Sequence, residues 1–207
     1  IVDGVVTLTY KQTQEQAHAL AAWLISEDCT QGDRVAIWAP NCQQWIVAAL
    51  GAQAIGATVV TLNTRYKGAE AADVLRRSGA RFLFSVKQFL DVDYPALLQP
   101  FDLPDLIATV TLMVHSQSDD FASVLEKGRE LLATEDGEKS FTAASTTVTA
   151  DTVSDILFTS GTTGQAKGVV TDHGQNLEAF SAFVEILGLD ASDHYLIINP
   201  FFHSFGY

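Results

Sequence analysis

Cysteine and basic residues are both scarce in this chain of 207 residues, which has two cysteines and 12 lysines and arginines against 25 acidic residues. Cys29 and Cys42 are too few for a disulfide framework and lack the paired spacing of a structural zinc site. The formal net charge of -13 gives no general attraction to nucleic acid or to anionic membranes, which both favour basic patches. The composition therefore indicates a protein of the reducing cytoplasm that does not bind nucleic acid.

Long apolar runs are also missing. No stretch approaches the roughly 18–20 consecutive apolar residues that cross a bilayer. No basic start followed by an apolar segment marks a secretory signal peptide. The chain begins at Ile1 without methionine and stops at Tyr207 inside an apolar run, so we expect a fragment of a cytoplasmic protein without an integral membrane segment.

Apolar residues are nevertheless abundant, at 47% of the chain, which is enough for a sizeable core. Short β-branched and aromatic runs alternate with longer stretches in which apolar positions recur at helical spacing. Asn41 is predicted to cap the helix that follows the first of the buried strands. The predicted buried strands are "DRVAIWA", "ATVVTL", "RFLFSV", "LIATVTLMV", "SDILFTS", "GVVTD" and "HYLIINP". Strands joined by helices pair in parallel, so the sequence predicts an α/β fold of mostly parallel sheets layered with helices.

Composition divides the chain into three predicted regions. Residues 134–152 are small and polar, and we interpret them as a surface linker. Residues 1–133 would form a first α/β lobe, and residues 153–207 would begin a second lobe.

Small hydroxyl residues, glycines and one lysine are concentrated in "FTSGTTGQAKGVV", residues 158–170, between two apolar runs. Glycine lets backbone N–H groups converge on one point, hydroxyls are short donors, and lysine is a mobile cation. The loop also follows a predicted strand, where α/β sheets bind their ligands. These features favour phosphate binding by Ser160, Gly161, Thr162, Thr163, Gly164 and Lys167.

Two common phosphate-binding motifs do not fit this loop. A P-loop needs a lysine directly after glycine and a hydroxyl behind it, whereas Lys167 lies between Ala166 and Gly168. The spacing of Gly161, Gly164 and Gly168 also differs from the G-x-G-x-x-G dinucleotide fingerprint. An ordinary surface turn, in which Ser, Thr and Gly are common, stays an alternative.

The chain ends in "NPFFHSFGY", where aromatic residues flank His203 and Gly206. A lone histidine beside aromatic residues is more often a core residue than a catalyst. The sequence therefore leaves both interpretations of His203 open. No set of residues has the spacing of metal ligands.

The segment "TSGTTGQAKG", residues 159–168, resembles the signature loop of the adenylate-forming enzymes, a superfamily of acyl-CoA and aryl-CoA synthetases, peptide-synthetase adenylation domains and firefly-type luciferases. "TLTYKQTQEQAHALAAWL", "GDRVAIWAPNCQQWIVAALGAQAIGATVVTLNTRY" and "NPFFHSFGY" are also similar to family segments, in the family's order. The usual loop has proline before the lysine, where this chain has Ala166, and proline would fix φ. The resemblance covers essentially the whole chain and implies a truncated N-terminal domain, closest in look to fatty acyl-CoA synthetases.

The resemblance implies a role for both segments. Thr159 to Gly164 would bind the β- and γ-phosphates of ATP, together with Lys167 as a catalytic residue, while a carboxylate attacks the α-phosphate. Phe202, His203 and Gly206 would border the acyl pocket. His203, as a catalytic residue, would orient the carboxylate or gate access to it, and Gly206 would leave room for the substrate.

The resemblance also implies the reaction partners. ATP, Mg²⁺ and coenzyme A would serve a small-molecule carboxylate, a fatty or related acyl acid, that is activated as an acyl-adenylate and transferred to coenzyme A. The metal ligands would lie beyond Tyr207, with none in this fragment, and we expect the isolated fragment to be inactive. An adenylation domain, a luciferase-like enzyme and a non-catalytic nucleotide- or acyl-binding module stay alternatives. Formation of a homo-oligomer also stays open.

Overall fold

The computed structural model describes residues 1–112, 120–159, 166–204 and 206. The strands are β1 Val2–Asp3, β2 Val6–Thr7, β3 Arg34–Trp38, β4 Thr58–Thr61, β5 Ala80–Val86, β6 Gln88–Phe89, β7 Val92–Asp93, β8 Ala108–Leu112, β9 Val153–Thr159 and β10 Lys167–Asp172. The helices are α1 Tyr10–Ser26, α2 Gln43–Gln53, α3 Gly68–Ser78, α4 Tyr94–Leu98, α5 Phe121–Leu132, α6 Glu135–Ser145 and α7 His173–Leu187.

A six-stranded sheet in the order β10-β9-β4-β3-β5-β8 forms the centre of the fold. Its pairs β4–β9, β3–β4, β3–β5 and β5–β8 are all parallel, which confirms the predicted α/β class. The pair β9–β10 is antiparallel, unlike the rest. The reason is the short connection between these two strands, which has no room for the helical crossover that parallel pairing requires.

The central strands are buried because helices cover the sheet. All four residues of β4 are buried, and this explains why the strand is a continuous β-branched run instead of an alternating one. On the helical side, the ring of Trp23 in α1 meets the rings of Phe82 and Phe84 in β5 edge-on, with centroids 6.0 and 6.3 Å apart. The packed core therefore lies around β3, β4 and β5, and it fixes the positions at which these strands end.

The polar segment 134–152 contains a helix, α6, where its composition had indicated a linker. The Thr134 hydroxyl caps this helix by accepting a hydrogen bond from the Gly137 N–H at 3.1 Å. Glu135 and Lys139 form an ion pair of 2.6 Å one turn apart. Because β9, after this segment, pairs with β4, before it, the two predicted lobes contribute strands to one sheet. The division into lobes stays a prediction.

Two local predictions were wrong. The N-terminal cap of α2 is Cys42, and Asn41 makes different contacts that are described below. The run "HYLIINP" forms no strand, although it is apolar and β-branched. Tyr195, Leu196, Ile197 and Ile198 are exposed, so this run pairs with no sheet edge among the described residues. No helix in the described ranges combines the length and the apolar character that crossing a bilayer requires.

Candidate functional site

The phosphate-loop candidate connects two paired strands at one edge of the central sheet. Thr159 ends β9 and lies opposite Lys167, the first residue of β10. The Thr159 hydroxyl donates a long hydrogen bond of 3.4 Å to the Lys167 carbonyl oxygen, and both residues are exposed. The loop therefore leaves the sheet at the carboxyl end of β9, the location at which α/β sheets bind ligands.

Five of the candidate residues lie outside the described part of the chain. They are Ser160, Gly161, Thr162, Thr163 and Gly164. Their assignment to phosphate stays a prediction, and Thr159 and Lys167 mark the two ends of the loop that would carry them.

Asn41 holds the aromatic–histidine segment, residues 199–207 of the sequence, at the same end of the sheet, where the parallel strands have their carboxyl ends. The sequence did not single out Asn41 for this role. The Asn41 side chain donates to the carbonyl oxygen of Asn199 at 2.8 Å. Its amide oxygen accepts a hydrogen bond from the backbone N–H of Phe201, also at 2.8 Å. The side chain thus pairs with the backbone as a neighbouring strand would. Asn41 lies shortly after β3, so it ties this segment to the carboxyl end of a central strand.

A second tie comes from β4. The hydroxyl of Thr61, the last residue of this strand, donates to the carbonyl oxygen of Phe202 at 3.3 Å. The ring of Phe201 is buried against Trp45 with centroids 5.1 Å apart. Phe201 therefore anchors the segment in the core, while Phe202 stays half-buried and His203 stays exposed.

A tight turn shapes the end of this segment. The backbone N–H of His203 donates to the Pro200 carbonyl oxygen at 3.0 Å, and that of Gly206 donates to the His203 carbonyl oxygen at 2.8 Å. A Cβ atom on Gly206 would collide with the carbonyl oxygens of Pro200 and Asn199. The turn therefore requires glycine for its own backbone packing. The predicted second reason, room for a substrate, stays a prediction.

A cavity of about 490 Å³ lies between the two segments. Thr159 and Ala166 line it from the two ends of the hydroxyl loop, and Phe202 and His203 line it from the aromatic segment. Cavities of roughly 300–1,000 Å³ are typical of small-molecule sites. The fold thus brings the two stretches that the sequence singled out, about 40 residues apart, to the walls of one cavity.

One wall of the cavity, formed by α3 and the residues just before it, was not foreseen from the sequence. It includes Tyr66, which precedes α3, and Glu70 and Asp73 in the helix. Glu70 accepts a hydrogen bond from the backbone N–H of Lys67 at 2.8 Å, and Asp73 accepts one from Arg77 at 3.2 Å. Burial and the neighbouring Glu70 carboxylate raise the pKa of Tyr66, so its hydroxyl stays protonated and available as a donor.

The described lining of the cavity is acidic on the α3 side, where Glu70 and Asp73 lie. Lys167 follows the lining residue Ala166 in the chain, at the other end of the cavity lining. The binding of a polyphosphate by the loop before Lys167 stays a prediction. Among the described residues, no cluster of three or more His, Cys, Asp or Glu side chains is placed to hold a metal ion, so we assign no ligand to Mg²⁺ in this part of the chain.

A buried polar cluster lies below the loop. Asp155 in β9 is fully buried, and its carboxylate accepts hydrogen bonds from the Thr171 hydroxyl and the Asn176 amide, both at 2.6 Å. Ser154 accepts hydrogen bonds from the side chains of Gln53, at 2.7 Å, and of Asn176, at 3.2 Å. These bonds connect α2, β9, β10 and α7, and so they fix the two strands that the loop joins.

Comparisons with known proteins identify the family and the fold of the chain. The model of the family described as AMP-binding enzyme matches residues 1–207. A 3-[(3aS,4S,7aS)-7a-methyl-1,5-dioxo-octahydro-1H-inden-4-yl]propanoyl:CoA ligase of Rhodococcus jostii RHA1 is 41% identical over 209 residues, which cover 100% of this chain and 41% of that protein. The ligase of the same name from Mycobacterium tuberculosis is 42% identical over 96% of this chain and 38% of its own length. The chain thus spans about two fifths of the length of these relatives.

Solved structures show the same fold. The inhibitor-bound N-terminal domain of FACL13 from Mycobacterium tuberculosis superposes with a TM-score of 0.77 at 26% identity, over 96% of this chain and 46% of that one. ATP-bound MatB from Rhodopseudomonas palustris also gives a TM-score of 0.77, at 22% identity, over 96% of this chain and 36% of that one. The second similarity supports the fold alone.

Proposed function

Because the chain belongs to the AMP-binding enzyme family, as the resemblance of its loop had indicated, we propose that it provides the phosphate-binding edge and one wall of the acyl pocket of an ATP-dependent acyl-CoA ligase. The observation that carries this proposal is the cavity that Thr159, Ala166, Phe202 and His203 line together. A ligase that joins a carboxylate to a nucleotide needs a polyphosphate site and an acyl site next to each other. An acyl-binding module without catalysis would not need the first.

The proposed reaction has two steps. A carboxylate oxygen attacks the α-phosphorus of ATP, the bond to the β-phosphate oxygen breaks, and pyrophosphate leaves. The thiol of coenzyme A then attacks the acyl carbon, loses its proton, and AMP leaves with the electron pair of the broken C–O bond. Mg²⁺, when bound, would spread the charge of the phosphates.

This chain contributes positioning and charge to the first step. Lys167, the first residue of β10, would bind the β- and γ-phosphates. Its mobile ammonium group would stay with the pyrophosphate as this leaving group gains charge. Thr159 and the loop after it would donate hydrogen bonds to the same oxygens. His203, exposed at the cavity wall, would orient the carboxylate, and Phe202 would contact the apolar part of the acid.

For the acid, we propose a bicyclic carboxylic acid with a propanoyl side chain. Two relatives that are 41% and 42% identical to this chain are named as CoA ligases of such an acid. The similarity extends over 100% of this chain in the first relative and over 96% in the second. In the first relative it therefore includes the aromatic–histidine segment, which would line the acyl pocket. A fatty or related acyl acid of another kind, favoured by the sequence resemblance, is the second candidate.

The full-length protein tests both parts of this proposal. Acid-dependent release of pyrophosphate from ATP is expected with the bicyclic propanoic acid, and a coenzyme A thioester is expected by mass spectrometry once coenzyme A is added. Higher activity with a straight-chain acid would leave the reaction in place and overturn the substrate class. Tight nucleotide binding without pyrophosphate release would favour a non-catalytic module instead. The isolated residues 1–207 are expected to release no pyrophosphate.

A further inference from the structure

Arg77, in the last turn of α3, contacts β9 and the residue immediately before β10, on the two sides of the hydroxyl loop. Its guanidinium donates to the carbonyl oxygen of Ala166 at 2.8 Å. The guanidinium carbon also lies 5.5 Å from the centre of the Phe158 ring. Phe158 is the residue before Thr159 in β9, and Ala166 is the residue before Lys167 in β10, so the arginine touches the loop at its two ends.

The arginine is itself held in place. The same guanidinium nitrogen donates to the Asp73 carboxylate at 3.2 Å, one helical turn earlier in α3. Asp73, Phe158 and Ala166 all line the cavity described above. Arg77 therefore lies at the rim of the cavity. Asp73 offsets its charge, and its guanidinium donates a hydrogen bond to the backbone at the end of the loop.

The contact with Ala166 determines the direction in which the chain enters Lys167. The peptide group between two residues is planar, so fixing the Ala166 carbonyl also fixes the backbone N–H of Lys167. Alanine allows more backbone conformations than the proline that stands before the lysine in the family's usual loop, because proline locks φ. A hydrogen bond from a rigid guanidinium restricts the alanine in a different way.

We propose that Arg77 is a positioning residue for Lys167, which restrains the end of the phosphate loop through the Ala166 carbonyl and replaces the restraint that a proline at this position would supply. This inference rests on the proposed function, because it assumes that Lys167 binds the phosphates of ATP. It assigns no direct contact with substrate to Arg77.

The first test compares Arg77→Ala with Arg76→Ala in the full-length protein. Arg76 lies in the same helical turn, and its guanidinium faces the Phe101 ring at 6.0 Å instead of the loop. Both variants remove one positive charge from the same region. Acid-dependent ATP–pyrophosphate exchange is expected to lose about fivefold in kcat/KM for ATP in Arg77→Ala, the scale of one hydrogen bond. The KM for the acid is expected to stay unchanged, and Arg76→Ala is expected to match the wild type.

The second test is rescue by proline. Ala166→Pro is expected to restore most of the lost kcat/KM for ATP when it is combined with Arg77→Ala, because the ring supplies a backbone restraint that the arginine no longer provides. A role of Arg77 in the stability of α3 alone predicts no rescue. Thermal unfolding of each variant separates loss of folded protein from loss of positioning. If Arg77→Ala does not fold, Arg77→Gln is used instead, because its side chain is uncharged and shorter than that of arginine. Ala166→Pro is then combined with Arg77→Gln, and the recovery of kcat/KM for ATP is measured.

The outcomes separate this inference from the proposed function. A wild-type protein without acid-dependent pyrophosphate exchange would overturn the proposed function. An active wild type in which Arg77→Ala equals Arg76→Ala, or in which Ala166→Pro restores nothing, would overturn the role of Arg77 and leave the proposed function standing.

Discussion

Lys167 lies opposite Thr159, at the two ends of the hydroxyl loop, and we propose that it binds the phosphates of ATP. We expect Lys167→Ala in the full-length protein to slow acid-dependent ATP–pyrophosphate exchange about 10-fold or more, the scale of about 1.4 kcal/mol in a barrier. The matched control is Lys11→Ala, which removes the same charge from a side chain on α1 that is 83% exposed. Equal exchange rates in the two variants would contradict the role of Lys167.

Asn41 replaces the backbone of a neighbouring strand for the residues before His203. We expect Asn41→Ala to raise the KM for the acid several-fold and to leave the KM for ATP nearly unchanged, because its two hydrogen bonds hold the segment that we propose as a wall of the acyl pocket. Asn41→Asp keeps the acceptor for the Phe201 N–H but places a carboxylate against the Asn199 carbonyl oxygen. It is expected to be at least as impaired as Asn41→Ala. A selective rise in the KM for ATP would contradict this assignment.

The two cysteines are buried, and their thiols are expected to be unreactive in the folded protein. Burial raises the pKa of Cys29 to about 12 and that of Cys42 to about 11. Both side chains therefore stay protonated at pH 8. Because the thiolate is the reactive nucleophile, the protonated thiols react slowly. Iodoacetamide is therefore expected to label neither cysteine at pH 8 in the native protein and both in urea, as mass spectrometry would show. Rapid labelling of either residue in the native state would contradict the burial described here.

The residues of the candidate site differ in how visible they were in the sequence. Thr159, Lys167, Phe202 and His203 belong to short stretches of unusual composition, and the sequence singled them out. Asn41 and Arg77 act through hydrogen bonds to backbone groups at least 89 positions away in the chain. No local pattern marks such residues, because their role depends on which strand ends the fold brings together.

At the scale of elements, buried strands were the most predictable part of the chain. Continuous β-branched and aromatic runs identified β3, β4 and β5, whose parallel pairing follows from the helices between them. The strand β10 was predicted as "GVVTD", but its antiparallel pairing was not, and the run "HYLIINP" forms no strand. Strand propensity describes a residue's fit to a sheet, and it does not supply the neighbouring strand with which a segment must pair.

The buried carboxylate of Asp155 in β9 connects this strand to β10 and to α7 through hydrogen bonds. We expect Asp155→Ala to lower the free energy of unfolding by about 2–4 kcal/mol, since the Thr171 hydroxyl and the Asn176 amide would lose a buried acceptor. Asp151→Ala, at an exposed turn just before β9, is the control, with an expected change within about 0.5 kcal/mol. Thermal and urea unfolding of the full-length protein would measure both. Similar midpoints for the two variants would contradict the structural role of Asp155.

At the scale of the whole molecule, the described residues expose a broad apolar surface. It is formed by one face of α7 and by the run after it, and it includes Leu177, Phe180, Phe183, Ile186, Leu196 and Ile198. Surfaces of this kind usually mark an interface.

The chain spans about two fifths of the length of its relatives, so its activity has to be measured in the full-length protein.

In the proposed site, one cavity holds a polyphosphate on its loop side and an acyl group on its aromatic side. A crystal structure of the full-length protein with ATP and the bicyclic propanoic acid, or with the acyl-adenylate formed from them, would locate both groups. We expect phosphate oxygens within hydrogen-bond distance of the Lys167 ammonium and the Thr159 hydroxyl, with the acyl group against Phe202 and His203. Nucleotide bound in a different part of the protein, with this cavity empty, would contradict this proposal.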